Sequence, residues 1–242
     1  MQTDDEAQAF DIQQVVDLVY GIFAKYAETE QDNLASKEAW SEAFKTFGGD
    51  NKFPRTGPQH KFEELKSEIL YCGAEDVEKT IKEFQTGEIK TEGRTLFGPG
   101  QYFTIKLDKA KKYAKDSSGD NIMIGKLLPS AKVVTLQDLW KLKAKLLPKQ
   151  KFFIPFKKDE SDPTQRLHAV SYMLSDCSGQ DSLFALMLGY DALRIEQKEE
   201  LENGDIINND TVVVMNREVM VQSVNPVASA LSTWQDELDR ER

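Results

Sequence analysis

Histidine and cysteine are nearly absent, with two of each among 242 residues. Two cysteines, Cys72 and Cys177, make no disulfide framework, and His60 and His168 add no metal-ligand spacing, so a metal site is not expected. A cysteine nucleophile is excluded on similar grounds. Cys72 would need a histidine base, and neither histidine lies in a catalytic cysteine signature. Such sparse cysteine fits a reducing cytosol, that of a bacterial host being the leading expectation, with a virion as the alternative. No apolar run approaches the ~20 residues that span a bilayer, so no membrane role is expected. Positive charge is also in deficit. The 31 Lys and Arg against 41 Asp and Glu leave a net charge of −10, which argues against general binding to nucleic acid or anionic membranes. The opening MQTDDEAQAF is acidic and resembles neither a secretory signal nor a transit peptide.

What is present suits one large domain with a helical lead-in. Ile12, Val15, Val16, Val19, Ile22, Phe23 and Tyr26 recur at helical spacing. Core packing is one reading of that face, and a partner-binding helix is the other. A second helix fits residues 36–47, with Ser36 as its cap and Gly48-Gly49 as its stop. Residues 49–58 are rich in breakers and read as a linker. The expected division is therefore 1–56 as a helical extension, 57–225 as the main domain and 226–242 as a terminal helix.

Within the main domain, strands are expected to end at Cys72 and to cover 122–128, 131–134, 192–195, 211–215 and 219–221. Helices are expected over 58–67, 75–84, 136–146, 163–174 and 183–188. Thr135 should cap the helix from 136, and Pro163 should open the one from 163. Thr211 to Met215 is the most β-branched run and reads as a buried central strand. The basic and aromatic stretch Lys149 to Phe156 reads as an edge strand with a solvated lysine face, or alternatively as a partner or substrate loop. Residues 196–209 read as an acidic excursion.

The densest signal lies between Ile69 and Tyr113. An apolar run stops at Cys72-Gly73, an acidic helical segment follows, and then comes Phe97-Gly98-Pro99-Gly100-Gln101-Tyr102-Phe103. Tyr113 follows Tyr102 by eleven residues. Glycines at such turns let backbone approach a flat ligand, because no Cβ stands in the way. This pattern resembles the ADP-ribosyltransferase superfamily, with its Phe-Gly-x-Gly-x-Tyr-Phe block and a tyrosine eleven residues on. Tyr71-Cys72-Gly73, Ala110-Lys111-Lys112-Tyr113-Ala114 and the endings Gly189-Tyr190-Asp191-Ala192-Leu193 and 211–221 are similar to phage-encoded members. The resemblance spans about 69 to 222. It implies an α+β fold of two small, mainly antiparallel sheets packed together, with NAD, the substrate, in the cleft between them.

By this resemblance Cys72, Gly73, Gly100, Tyr102 and Tyr113 hold NAD. Gly73 supplies backbone contacts, Tyr113 the ring that stacks on nicotinamide, and Tyr102 a second aromatic beside the ribose. A carboxylate must stabilise the oxocarbenium-like cation as the nicotinamide bond loosens. Asp210 occupies that place, so Asp210 and Tyr102 are the catalytic candidates, with Glu218 as another acid outside the motif. Two positions depart from the family. A thiol at Cys72 makes neither a histidine's hydrogen bond nor an arginine's phosphate fork, and Asp210 is one methylene shorter than glutamate. The leading expectation is NAD-dependent mono-ADP-ribosylation of a protein target by a phage-encoded chain. The alternative is a catalytically degenerate domain that serves as a structural or assembly component. Lysines 109, 111, 112 and 115 read as a solvated helix face or as a grip for an acidic partner.

Overall fold

Apolar periodicity decides the outer layer of this computed structural model, which describes residues 12–26, 37–47, 62–86, 96–114, 121–149, 154–176, 180–200 and 206–222. The expected Ser36 cap, the 49–58 linker, the 226–242 helix, His60, Lys115 and Cys177 lie outside the described residues. Helix α1 (Ile12–Tyr26) buries Val15, Val16, Val19, Ile22 and Phe23. Its apolar face is core, not a free docking surface. The Phe23 ring meets Trp40 of α2 (Lys37–Thr46) edge-on at 4.8 Å and Phe156 at 5.3 Å. The Tyr20 hydroxyl donates to the Lys157 carbonyl and accepts from the Lys157 amide. Phe156 is therefore a core residue; of the expected edge strand, 154–156 are not strand and 150–153 lie outside the described residues.

A short 3-10 turn, Phe62–Glu64, stands where a helix is expected over 58–67, and it leads into β1 (Leu70–Gly73) and α3 (Val77–Thr86). Then come β2 (Gln101–Thr104), α4 (Leu107–Ala114), β3 (Ile122–Leu127), β4 (Val133–Thr135) and α5 (Leu136–Leu146). Thr135 caps α5 as its sequence predicts, its hydroxyl accepting the Asp138 amide. The chain continues through α6 (Pro163–Asp176), α7 (Asp181–Met187), β5 (Ala192–Ile195), β6 (Lys198–Glu200) and β7 (Ile206–Asn208). It closes with β8 (Thr211–Val214) and β9 (Met220–Gln222).

The fold is mixed α and β. In place of two packed small sheets, the described strands form one seven-stranded sheet, ordered β4-β5-β8-β2-β1-β3-β9, and a separate β6-β7 hairpin. Only β4-β5 is parallel. β8 is central to its half of the sheet, and its Val212, Val213 and Val214 are buried. The two halves are joined weakly. β1 and β2 share the single pair Tyr71↔Thr104, whereas β1-β3 and β2-β8 are each paired over four residues. Beyond that pair the strands part, and the sheet opens between them.

Helices cover the faces unevenly. Helices α1, α5, α6 and α7 pack over the β4-β5-β8 half around Phe184, Leu139, Leu193 and Val213. Helix α4 packs on β1 and β3 through Ala110, Ala114, Ile122 and Ile124, with Phe62 in the same cluster. On the opposite face, Val77 and Ile81 of α3 cover Leu70, Cys72, Phe103 and Val212. A clip then ties the β4, β5 and β8 ends together. Asp191 accepts from the Lys132 amide with one carboxylate oxygen and from the Asn216 side chain with the other, both at 2.8 Å. The turn before it needs Gly189, at φ 79°.

Helix α4 sits so close to β1 that residue 73 has no room for a side chain. A Cβ there would fall 2.0 Å from the Ala110 carbonyl oxygen and 2.7 Å from the Ala114 nitrogen, both of them backbone. Gly21, inside α1, has nothing within 4 Å of an added Cβ. Gly73→Ala is therefore expected to cost about 1–3 kcal/mol or more through overpacking. Gly21→Ala should gain about 0.5–1 kcal/mol from helix propensity. Denaturant unfolding of both variants checks this, and a Gly73→Ala protein as stable as the parent would refute the close-packing account.

Candidate functional site

The parting of β1 and β2 creates a cavity of about 470 Å³, within the several-hundred-Å³ range of small-molecule sites. Tyr71, Cys72 and Gly73 form one wall, and Gln101 to Thr104 form the other. Lys109 and Tyr113 reach it from α4, Thr211 from β8, and Glu75 and Leu96 from the flanking loops. Strand pleating sorts these side chains. By register, Tyr71, Tyr102, Thr104 and Thr211 share the α4 face, while Cys72, Gln101 and Phe103 share the α3 face. The cavity is thus reached from both faces through the split.

Of the residues singled out in the sequence, Cys72, Gly73, Tyr102 and Tyr113 come together here. Tyr113 is 66% exposed, and with Leu96, 73% exposed, it forms an open apolar rim suited to one face of a flat ring. The Tyr102 ring lines the wall, but its hydroxyl is spent on the preceding loop, donating to the Gly98 carbonyl and accepting from the Phe97 amide. That loop is also pinned by α7, since the Ser182 hydroxyl donates to the Pro99 carbonyl at 2.7 Å. Gly100 is not among the residues that line the cavity. Its φ is 141°, and a Cβ there would lie 2.6 Å from the Val213 side chain, so packing against β8 is its reason.

Asp210 does not line the cavity. It lies two residues before Val212 and so projects to the same side, the α3 face, where Arg194 is the partner of Val212 across β5 and β8. Arg194 donates to Oδ2 from Nε and Nη2, each at 2.6 Å, and the Gln197 amide donates to Oδ1 at 3.2 Å. The Arg194 fork also reaches Glu68. Asp210 is buried at 4% exposure, so removing Arg194 would strand a charge away from water. Glu218 lies in the 3-10 turn Arg217–Val219, away from the cavity lining.

Three further residues matter that the sequence pattern hid. Lys109 was legible only as part of a lysine run. Its ammonium donates to the Gln197 side chain, the Asn209 carbonyl and the Thr211 hydroxyl, at 3.1, 3.2 and 3.3 Å. It thereby ties α4 to the start of β8. Glu75 is the carboxylate that the cavity lining does contain. Gln101 fills a variable place in the glycine block, and only the pairing of β2 puts it on the face of Cys72. No group of three His, Cys, Asp or Glu among the described residues could hold a metal ion, and no helix among them is long and apolar enough to cross a membrane. No protein-family model matches this sequence, and no curated protein matches it.

The Cys72 thiol is buried at 6% exposure, and burial pushes it up from 9.0 to about 11, with the Gln101 amide pulling the other way. A raised folded value means that the stability it contributes is complete below about pH 9 and is lost as pH climbs through about 11. The loss is about 2–3 kcal/mol at most. Relative to a Cys72→Ala protein, the parent should lose stability across that window. Unfolding curves at several pH values test this, and parallel decline of the two proteins would contradict a buried, protonated thiol.

Proposed function

We propose that this chain is an ADP-ribosyltransferase-like domain of the phage type that binds NAD in the β1/β2 cleft without transferring ADP-ribose. It then serves as a structural or assembly component, for example of a phage particle, through a protein partner. The cleft reading is supported by the convergence of Gly73, Tyr102 and Tyr113, which the spacing of the glycine block ties together. Loss of transfer rests on one observation. Asp210, the carboxylate at the motif's catalytic place, is buried against Arg194 and is not part of the cavity lining. A carboxylate already neutralised by a guanidinium and turned from the cavity cannot stabilise a cation forming inside it. The Cys72 thiol likewise gives no histidine-like contact to a ribose.

A second reading, an active mono-ADP-ribosyltransferase with a protein target, is favoured by Glu75, which does line the cavity. The two readings separate in one assay. Purified chain should bind NAD and release no nicotinamide over hours. Tyr113→Ala removes the stacking ring and should weaken NAD binding by about 1–3 kcal/mol, roughly five- to a hundredfold in Kd. Nicotinamide release by the parent that falls ~100-fold in Glu75→Gln or Asp210→Asn would establish the enzyme and identify its carboxylate. Absence of NAD binding at millimolar concentration would discard both readings.

A further inference from the structure

A side-chain hydrogen bond crosses the β1/β2 split. The Gln101 Nε2 group donates to the Cys72 sulfur at 3.0 Å, where backbone pairing has already stopped. The thiol proton is directed at the Gly73 carbonyl oxygen, 3.8 Å away, which leaves the sulfur as acceptor. That order assigns the nitrogen end of the carboxamide to Cys72. The opposite end, Oε1, accepts no hydrogen bond from any described residue, although Gln101 is half-buried in the cavity wall. The second Nε2–H is also uncommitted, so the carboxamide offers the cavity an adjacent acceptor and donor.

We propose that Gln101 selects the ligand of this cavity and that Cys72 positions it, so that the site takes a group presenting a complementary donor and acceptor side by side. Two chemistries present that pair, the cis-diol of a ribose and a primary carboxamide such as that of nicotinamide. The proposal rests on the NAD reading for its choice of ligands, and it adds the residue that reads them. Burial matters to the argument. A thiol held protonated stays a neutral hydrogen-bonding hinge, and Cys72 acts only through Gln101.

Calorimetric titration of NAD, ADP-ribose and nicotinamide into the parent, Gln101→Met, Cys72→Ala and Cys72→Ser proteins tests it. ADP-ribose keeps the diols without the carboxamide, and nicotinamide keeps the carboxamide alone. Gln101→Met conserves shape and should weaken the recognised probe roughly three- to tenfold, the worth of an ordinary hydrogen bond. Cys72→Ala should weaken the same probe, and Cys72→Ser should restore it, because a hydroxyl also accepts from Gln101 and donates to Gly73. A purely structural cysteine in this apolar setting would prefer alanine to serine, so the reverse order overturns the positioning role. Should Gln101→Met fail to fold, Gln101→Glu reads the same loss of the donor to Cys72. Unchanged affinity in the Gln101 variant for a probe that the parent binds overturns this proposal and leaves the NAD reading standing. Binding of ADP-ribose or nicotinamide without NAD overturns the NAD reading, and the Gln101 variant then decides the proposal on the bound probe. Binding of none by the parent overturns both.

Discussion

A missing side chain at residue 73 is the constraint on which the site depends. Because nothing projects from Gly73, α4 lies directly on β1, backbone against backbone. Three consequences follow from that contact. Helix α4, with Phe62 beside it, covers the β1-β3 face. Lys109, one turn earlier than Tyr113, reaches across the split to the first residues of β8. Tyr113 is carried to the rim, where its ring is exposed instead of packed. The wedge between β1 and β2 then stays open because the Tyr71↔Thr104 pair is followed by divergence, with α4 bridging one side and the Cys72–Gln101 bond the other. A larger residue at 73 would move α4 and, with it, every side chain that α4 presents.

Strand geometry also fixes the electrostatics at the start of β8. β-sheet alternation gives Asp210 and Thr211 to different sides, and of the two it is Thr211 that lines the cavity. Thr211 faces the cavity and Lys109. Asp210 faces Arg194, which sits on its diagonal in the neighbouring strand and is itself shared with Glu68. A carboxylate buried to 4% exposure requires such a counter-charge, and once it has one, its field is largely used up locally. What sets the field of Asp210 is therefore its direction and its pairing.

Much of this was legible in the residues. Helices α1, α5 and α6 follow from apolar spacing, a threonine cap and an initial proline, all local signals. The burial of β8 follows from its run of β-branched residues. What was illegible is whatever depends on pairing between distant segments. One sheet or two is decided by a single bridge between residues 71 and 104, which no periodicity encodes. The β6-β7 hairpin lies in a stretch whose acidic composition reads as loop. Phe156 sits between proline and lysine, and only the docking of α1 makes it core. Arg194 becomes relevant to Asp210 through register alone, sixteen residues away.

The motif residues also divide by cause. Gly189, Asp191 and Asn216 are accounted for by turn geometry and by the clip that joins β4, β5 and β8. Gly100 is accounted for by its positive φ and its contact with Val213. Each would be required in any chain that closed this half of the sheet, whether or not it bound a ligand. Tyr113 is different, because an exposed ring at a cavity mouth stabilises nothing in the described fold. Gly73 belongs to both groups, since it permits the α4 contact and opens the backbone at the cavity wall. The case for a flat, nucleotide-like ligand therefore rests on the exposed rim of Tyr113 and Leu96 and on the Oε1 of Gln101, whose Nε2 is already held by Cys72.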